Sequence, residues 1–420
     1  MVECWLPYGG TEVYVTVDMR DLLSIAEPVR QEPQLNAREV VSRALAEPRG
    51  SKKLEDMVGS DCTVSIALEG TTMPANAVAA IAPIVTQLVN LIIPRDKITI
   101  IVANGIRQNS ARELLKALRV SDDLKGVNLI EHTSSTTSLA NLGETKQRTP
   151  LTINKAYIEA KVKIAVGEVE TDGYTGFTGA HTAILPGLAS IETVEAHRRL
   201  VLKGDVKPGV VELNHLKEDA LEAAKIAGCD LAIQLVTNSH GKLLSAFAGA
   251  LEETWGQAIY SLGASYQINA EAGADIVVVS AGGAKHDYTL YSSSYALQWP
   301  TRLVKKGGAI ILLAECPEGL GAETFTSLAQ VEQQSELERR YALGAEALQL
   351  LKAATAKSEV FIVSSLPRYM IEPLGVTVAR TGNDAYSKAV EGRRGRRTLV
   401  IPYGCSTVPV GTPATTQSPQ

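Results

Sequence analysis

Short β-branched runs, each followed by a Gly-containing loop and a stretch of helical periodicity, recur along the chain. That is the cadence of an α/β fold. Residues 62–68 lead through a loop at 69–74 into an apolar helix over 75–92. Residues 97–103 lead through Asn104-Gly105 into a helix whose expected N-cap is Ser110, with Glu113 three residues later as in a capping box. Residues 162–166 run into a glycine-rich stretch at 173–187, and residues 231–236 run into the turn His240-Gly241.

A second group of strands follows a helix-like segment at 251–264. Residues 274–280 end in Gly282-Gly283, and residues 308–314 end in a loop at 315–322. Strands at 359–363, 376–379 and 398–401, with a helix around 383–391, complete a smaller sheet. The expected architecture is two α/β domains with a cleft between them. Residues 1–266 form an N-terminal domain with the glycine-rich loop, 267–400 a smaller C-terminal domain, and 401–420 a C-terminal segment whose Thr/Ser/Pro/Gln-rich end, from Pro413, is disordered. Ligands of open α/β sheets bind beyond the carboxyl ends of the strands. The loops at 69–74, 104–109, 170–187 and 282–289 are therefore the first places to look for a site.

Composition narrows the classes. The chain has 420 residues, 45% hydrophobic and 21% charged, with a formal charge of −5. No dense basic block precedes Arg393, Arg394, Arg396 and Arg397, so nucleic acid is not expected as a partner. The most apolar stretch, 75–94, is broken by Asn76, Pro83, Gln87 and Asn90 and suits a buried helix, so no membrane is expected either. Five widely spaced cysteines in no paired metal motif, and no basic, apolar leader at Met1, point to a cytoplasmic protein with reduced thiols.

The segment Gly167-Glu-Val-Glu-Thr-Asp-Gly-Tyr-Thr-Gly-Phe-Thr-Gly-Ala-His-Thr-Ala-Ile-Leu-Pro-Gly187 carries most of the chemistry. Its glycines let backbone N–H groups approach an anion, and a helix starting near the loop's end adds its positive pole. The same glycines also suit a tightly packed connection, and the spacing is neither a Walker A nor a dinucleotide fingerprint. Glu168, Glu170 and Asp172 alternate, so they share one face if the strand continues. That face reads as a general acid or cation site, or as a solvated strand end. His132 is expected as a strand-end hydrogen-bonder and His215 and His240 as surface residues. No two histidines have the i, i+4 metal spacing.

Gly176-Phe-Thr-Gly-Ala-His-Thr-Ala-Ile-Leu-Pro-Gly-Leu-Ala-Ser190, followed by Thr193 and Ala196, resembles the signature segment of the nickel-dependent lactate racemase family. Leu6-Pro7-Tyr8-Gly9, Ile153-Asn154-Lys155 and Ser245-Ala-Phe-Ala-Gly249 are similar to other landmarks of that family, in order. The resemblance implies a lactate-racemase-like fold and racemisation or epimerisation of 2-hydroxy acids. It also implies a nickel-pincer nucleotide linked to a lysine, two histidines that exchange the hydroxyl proton, and an arginine that grips the carboxylate.

This sequence departs from that pattern at the chemical positions. Thr182 stands where the resemblance places the cofactor-bearing lysine, so a lysine-linked pincer is not expected. Asp172 and Arg107 stand in place of the two histidines, Thr72 in place of the arginine, and Arg198 in place of the nickel-binding histidine, with His197 adjacent as the candidate metal ligand.

The residues read as a diverged isomerase of a 2-hydroxy acid or related small carboxylate. Asp172 and His181 form its acid/base pair, and Arg107, Thr72 and Tyr288 bind the substrate. Thr71, Thr178, Gly179, Thr182, Gly282 and Gly283 surround any noncovalently held cofactor. Lys285 and His286 are further candidates for proton transfer or amine chemistry. The alternatives are an inactive binding or regulatory homologue and a lyase or hydrolase using Lys285 and His286. A homo-oligomer is compatible with each.

Overall fold

The computed structural model describes residues 1–59, 61–107, 111–203, 206–331 and 334–410. The expected N-cap Ser110 and the expected disordered end from Pro413 lie outside the described residues. The chain divides into two compact units, Arg30–Ser265 and a second made of Met1–Val29 with Tyr266 onward.

The first 29 residues, expected with 30–266, belong instead to the C-terminal unit. Their apolar pattern explains it. Strands β1 (Val2–Tyr8) and β2 (Thr11–Val17) form an antiparallel hairpin. Its Cys4, Leu6, Val15 and Val17 share a core with Ile276, Val278, Ile311, Leu313 and Val400. Strand β3 (Leu22–Ile25) then joins the edge of the C-terminal sheet.

The unit of residues 30–265 is built on a six-stranded sheet. Its strands are β4 (Val64–Glu69), β5 (Ile98–Ala103), β6 (Asn128–His132), β9 (Val162–Val169), β12 (Leu231–Thr237) and β13 (Leu243–Gly249). Between β6 and β9 lies the hairpin β7 (Leu139–Glu144) and β8 (Pro150–Asn154). After β9 comes the small pair β10 (Thr171–Asp172) and β11 (Gly176–Phe177). The order is β13-β12-β9-β4-β5-β6, parallel except for β13. Strands covered on both faces read as nearly continuous apolar runs. Accordingly β4, β5, β9 and β12 are buried along nearly their whole length. The helix Pro74–Asn90 starts with proline at its first turn, where the missing N–H costs nothing. Its Ala77, Ile81, Ile84, Val85 and Leu88 join the core of Ile66, Leu68, Ile100, Val102, Ile164 and Val166.

The chain runs from β4 outward to β5 and β6, then returns to place β9 on the other side of β4. The topological switch point therefore lies between β4 and β9. At their carboxyl ends sit the 69–74 loop and the glycine-rich loop.

In the second unit β15 (Ala274–Ser280), β16 (Val304–Leu313), β17 (Glu359–Val363), β18 (Thr377–Ala379) and β19 (Thr398–Ile401) form a parallel sheet with β3, in the order β18-β17-β16-β15-β19-β3. The expected C-terminal segment 401–420 contributes structure of its own. Strand β14 (Gln267–Asn269) pairs in parallel with β20 (Val408–Val410). No helix among the described residues is long and apolar enough to cross a membrane.

Two glycines test this packing in opposite directions. A Cβ on Gly167 would lie 2.5 Å from the backbone carbon and oxygen of Gly179, whereas one on Gly256, in the helix Leu251–Leu262, meets nothing within 4 Å. Gly167→Ala is expected to lower the unfolding free energy by about 1–3 kcal/mol. Gly256→Ala is expected to raise it by about 1 kcal/mol through helix propensity. Urea denaturation of the two variants checks both signs.

Candidate active site

Carboxylates hold the loops at the β4/β9 switch point. Glu69, the last residue of β4, accepts the Glu168 N–H at 3.0 Å through Oε2, while its Oε1 lies 3.0 Å from the Thr182 hydroxyl. Glu168, buried on β9, accepts from Asn76 Nδ2 at 3.1 Å and from the Met73 N–H at 3.4 Å. Thr72 is buried in this first loop, its N–H donating to Glu69 O, and Thr71 beside it is half-buried. The loop after β5 joins the same region, because Gly105 N–H donates to Gly187 O at 3.0 Å. Arg107 follows in that turn, half-buried. Three of the four expected loops thus meet within one unit.

The three alternating acids do not share a face, because β9 ends at Val169 and the chain turns back on itself. The Thr178 hydroxyl donates to Glu168 O at 2.7 Å and accepts the Glu170 N–H at 3.1 Å. Asp172 braces the next turn. Its Oδ2 accepts the Tyr174 N–H at 3.1 Å, the Thr175 N–H at 2.7 Å and the Thr175 hydroxyl at 2.9 Å. That role differs from the acid/base partnership with His181 expected from sequence.

The N–H groups expected to face an anion are also engaged. Thr178 N–H donates to Glu170 O, Gly179 N–H to Thr182 Oγ1 at 3.2 Å, and Ala180 N–H to Gln234 Oε1 at 2.8 Å. Gly179 permits this fold, since a Cβ there would lie 2.7 Å from Gln234 Oε1 and 2.8 Å from Trp255 Cδ1. Trp255 Nε1–H in turn donates to Thr178 O at 2.8 Å.

Inside this frame lie two histidines. His181, on the short helix Ala180–Ile184, is fully buried with its ring edge-on to Trp255 at 5.0 Å. Neither of its ring nitrogens has a hydrogen-bond partner. Burial, reinforced by nearby His197, pushes its pKa down to about 3. His197, in the last turn of the helix Ile191–Arg199, is equally buried. Its Nδ1 lies 2.8 Å from Asp219 Oδ2, and its Nε2 has no partner. Burial lowers its pKa too, against the opposing pull of Asp219.

Its neighbour Arg198 points elsewhere, with its guanidinium 3.3 Å above the Tyr174 ring. A guanidinium stays protonated and offers a metal no lone pair. Among the described residues no group of three or more His, Cys, Asp or Glu is arranged to hold a metal ion. The structure thus gives His197 a carboxylate partner where sequence had offered it as a metal ligand.

Sequence reasoning passed over Asp219, Gln234, Glu69 and Trp255. Two of these left a signal. Asp219 stands on the buried stripe Leu216, Ala220, Ala223, Ala224 and Ala227 of its helix, and Gln234 stands in the middle of an otherwise apolar strand. A polar residue in such a position needs a buried partner.

The remaining candidates lie in the other unit, at the end of β15. Gly283 has φ +80°, and a Cβ there would lie 3.2 Å from Gly9 O; Gly282 has φ +116° and lies against His286. Lys285, His286 and Tyr288 are half-buried. Asp287 is turned inward, accepting the Gly9 N–H at 2.7 Å and the Glu315 N–H at 3.2 Å, so it braces the β1–β2 turn rather than facing a ligand beside Lys285. Burial and the neighbouring Glu315, Cys316 and Asp287 push Tyr8 up to about 12.

His132, at the end of β6, is a third buried histidine, bonded through both nitrogens to Asn154 and Ala189 O, with its pKa also lowered by burial. Each of the three is held neutral in the folded state, so the unfolded chain binds more protons once pH falls below the ordinary histidine value of 6.5. Stability is complete above that pH and is lost as pH falls, for His181 down to about 3, by up to about 1.4 kcal/mol per pH unit per group. His181→Asn is expected to flatten this dependence between about pH 6.5 and about pH 4 in urea titrations. An unchanged slope would contradict the burial of a neutral ring.

Comparison with known proteins places this arrangement. The family described as Lactate racemase N-terminal domain matches residues 8–207, and that described as Lactate racemase C-terminal domain matches residues 269–409. The lactate racemase of Thermoanaerobacterium thermosaccharolyticum is 27% identical over 330 residues, 77% of each chain. That of Lactiplantibacillus plantarum is 26% identical over 346 residues, 80% of each chain. Among solved structures, the lactate racemase apoprotein from T. thermosaccharolyticum superposes with a TM-score of 0.80 at 24% identity, covering 97% of this chain and all of that one. A Thermotoga maritima protein follows at 0.68 and 16%, covering 91% and 99%. With two domain families matched in order along most of its length, the chain belongs to the lactate racemase family.

Proposed function

We propose that the chain is a racemase- or epimerase-type isomerase of a small 2-hydroxy carboxylate. In this reading its site lies at the β4/β9 switch point and carries no cofactor on residue 182. The observation that supports it is the group of buried nitrogens left without hydrogen bonds beneath the glycine-rich loop: both ring nitrogens of His181, Nε2 of His197 and Nε2 of Gln234. Buried polar atoms are nearly always satisfied, by protein, water or ligand. A ligand with a carboxylate and a hydroxyl supplies acceptors for the N–H groups and a proton for a bare imidazole nitrogen. Arg107, on the adjoining loop, suits the carboxylate.

The family's lysine-linked pincer does not fit these residues. The hydroxyl of Thr182 cannot form the linkage, and it is tied to Glu69 and to Gly179 O at 2.6 Å. The chemistry open to this chain's own side chains is proton transfer. At neutral pH His181 stays uncharged, so it serves as an N–H donor to oxygen bearing developing negative charge, as neutral imidazoles do in isomerases of other folds. The carbon-bound hydrogen then leaves as a proton to the bare Nε2 of His197.

Enantiopure short-chain 2-hydroxy acids incubated with the protein in D₂O are expected to give the opposite enantiomer with deuterium at C2, read by chiral chromatography and NMR. His181→Asn and His197→Gln are each expected to lower kcat by about a hundredfold or more. Interconversion without deuterium would overturn the proton route, and none across the panel would overturn the isomerase reading. Full burial of both imidazoles favours a second reading, a binding homologue. Its signature is saturable binding of a hydroxy acid, by calorimetry, with no turnover.

A further inference from the structure

We infer that Asp219 is the positioning residue of a buried carboxylate–imidazole dyad that makes His197 Nε2 the proton acceptor of this site. The turn joining β7 to β8 holds the dyad in place. The inference takes the proposed site as its setting, but its geometry stands on its own.

Asp219 is fully buried in the helix His215–Ala227 and receives three donors. Thr145 Oγ1 bonds its Oδ1. Thr149 Oγ1 at 2.9 Å and His197 Nδ1 at 2.8 Å bond its Oδ2. The two threonines flank the β7–β8 turn, which is closed by Thr145 N–H to Thr149 O at 3.0 Å and by Thr149 N–H to Thr145 Oγ1 at 3.2 Å. The turn therefore presents both hydroxyls to one carboxylate.

A carboxylate only accepts, so both hydroxyls and the ring nitrogen must donate to it. That fixes the tautomer: the proton of neutral His197 is on Nδ1, and Nε2 carries the lone pair.

A second buried histidine in the same unit shows what a merely structural one looks like. His132 bonds through both nitrogens, to Asn154 Nδ2 at 3.1 Å and to Ala189 O at 3.2 Å, and is used up. His197 is held by one nitrogen only, and the other is left bare in the interior beside His181. When Nε2 takes a proton from a bound ligand, the ring becomes an imidazolium paired with Asp219 in a medium of low dielectric. Its place in the last turn of its helix also favours the positive charge. The imidazolium then gives its proton to water while a solvent proton reaches the other face of C2, so the step needs no further reactant and carries deuterium in from D₂O.

The test uses the full chain labelled with ¹⁵N-histidine. In the unmodified protein at neutral pH, the ring ¹⁵N spectrum of His197, assigned by its loss in His197→Gln, is expected to show a protonated Nδ1 and a bare Nε2. Asp219→Asn puts an amide N–H₂ against the ring, so the tautomer is expected to shift toward Nε2–H. Where a hydroxy acid is turned over, kcat is expected to fall by about a hundredfold to ten-thousandfold with KM little changed. Asp219→Glu is expected to restore part of the rate.

A His197 with its proton on Nε2 in the unmodified protein would overturn the inference, and this needs no variant to fold. So would an Asp219→Asn protein that keeps both tautomer and kcat. A bare Nε2 in a protein that interconverts no hydroxy acid supports the dyad and overturns only the isomerase reading.

Discussion

The backbone of the glycine-rich loop lies directly on strand β9. Where Gly167 faces Gly179 there is no room for a methyl group. Everything at the switch point follows from that contact. It brings the Ala180 N–H to Gln234 and the Thr182 hydroxyl to Glu69, and it buries the His181 ring against Trp255. A glycine here serves close approach of two backbones rather than access to phosphate, since the N–H groups of Thr178, Gly179 and Ala180 all end on protein oxygens.

Buried and half-buried carboxylates do most of the bracing. Glu69, Glu168, Asp172 and Asp219 each tie a loop or turn of the N-terminal unit, and Asp287 does the same in the other unit by holding the β1–β2 turn. A buried carboxylate is costly unless several donors compensate it. Backbone N–H, hydroxyl, amide and, at Asp219, imidazole groups meet these carboxylates. Burial keeps both histidines neutral, against the pull of Asp219 on His197. Within this frame both ring nitrogens of His181 and Nε2 of His197 stay bare.

Much of the fold was legible from pattern. The runs at 274–280, 359–363 and 398–401 coincide with β15, β17 and β19, because strands buried on both faces leave a continuous apolar trace. The N-terminal hairpin was not legible as part of the C-terminal unit. Its alternating pattern says that one face is buried, not against what. The site was legible in part. The glycine-rich loop and His181 stand out in sequence, but the partner of His197 comes from a helix over 20 residues further on, and nothing local links them. The bracing by Asp172 was not legible either. An acid beside a glycine-rich loop reads as chemistry, and the sequence does not show that the Thr175 hydroxyl and two N–H groups also bond it across the turn.

The imidazole chemistry proposed for this member of the lactate racemase family leaves no cofactor carried on residue 182. Intact-protein mass spectrometry, on chain produced together with the family's cofactor-building proteins, tests it most directly. The expected result is the unmodified mass of the 44.8 kDa chain. An adduct of several hundred daltons bound to the chain would contradict it.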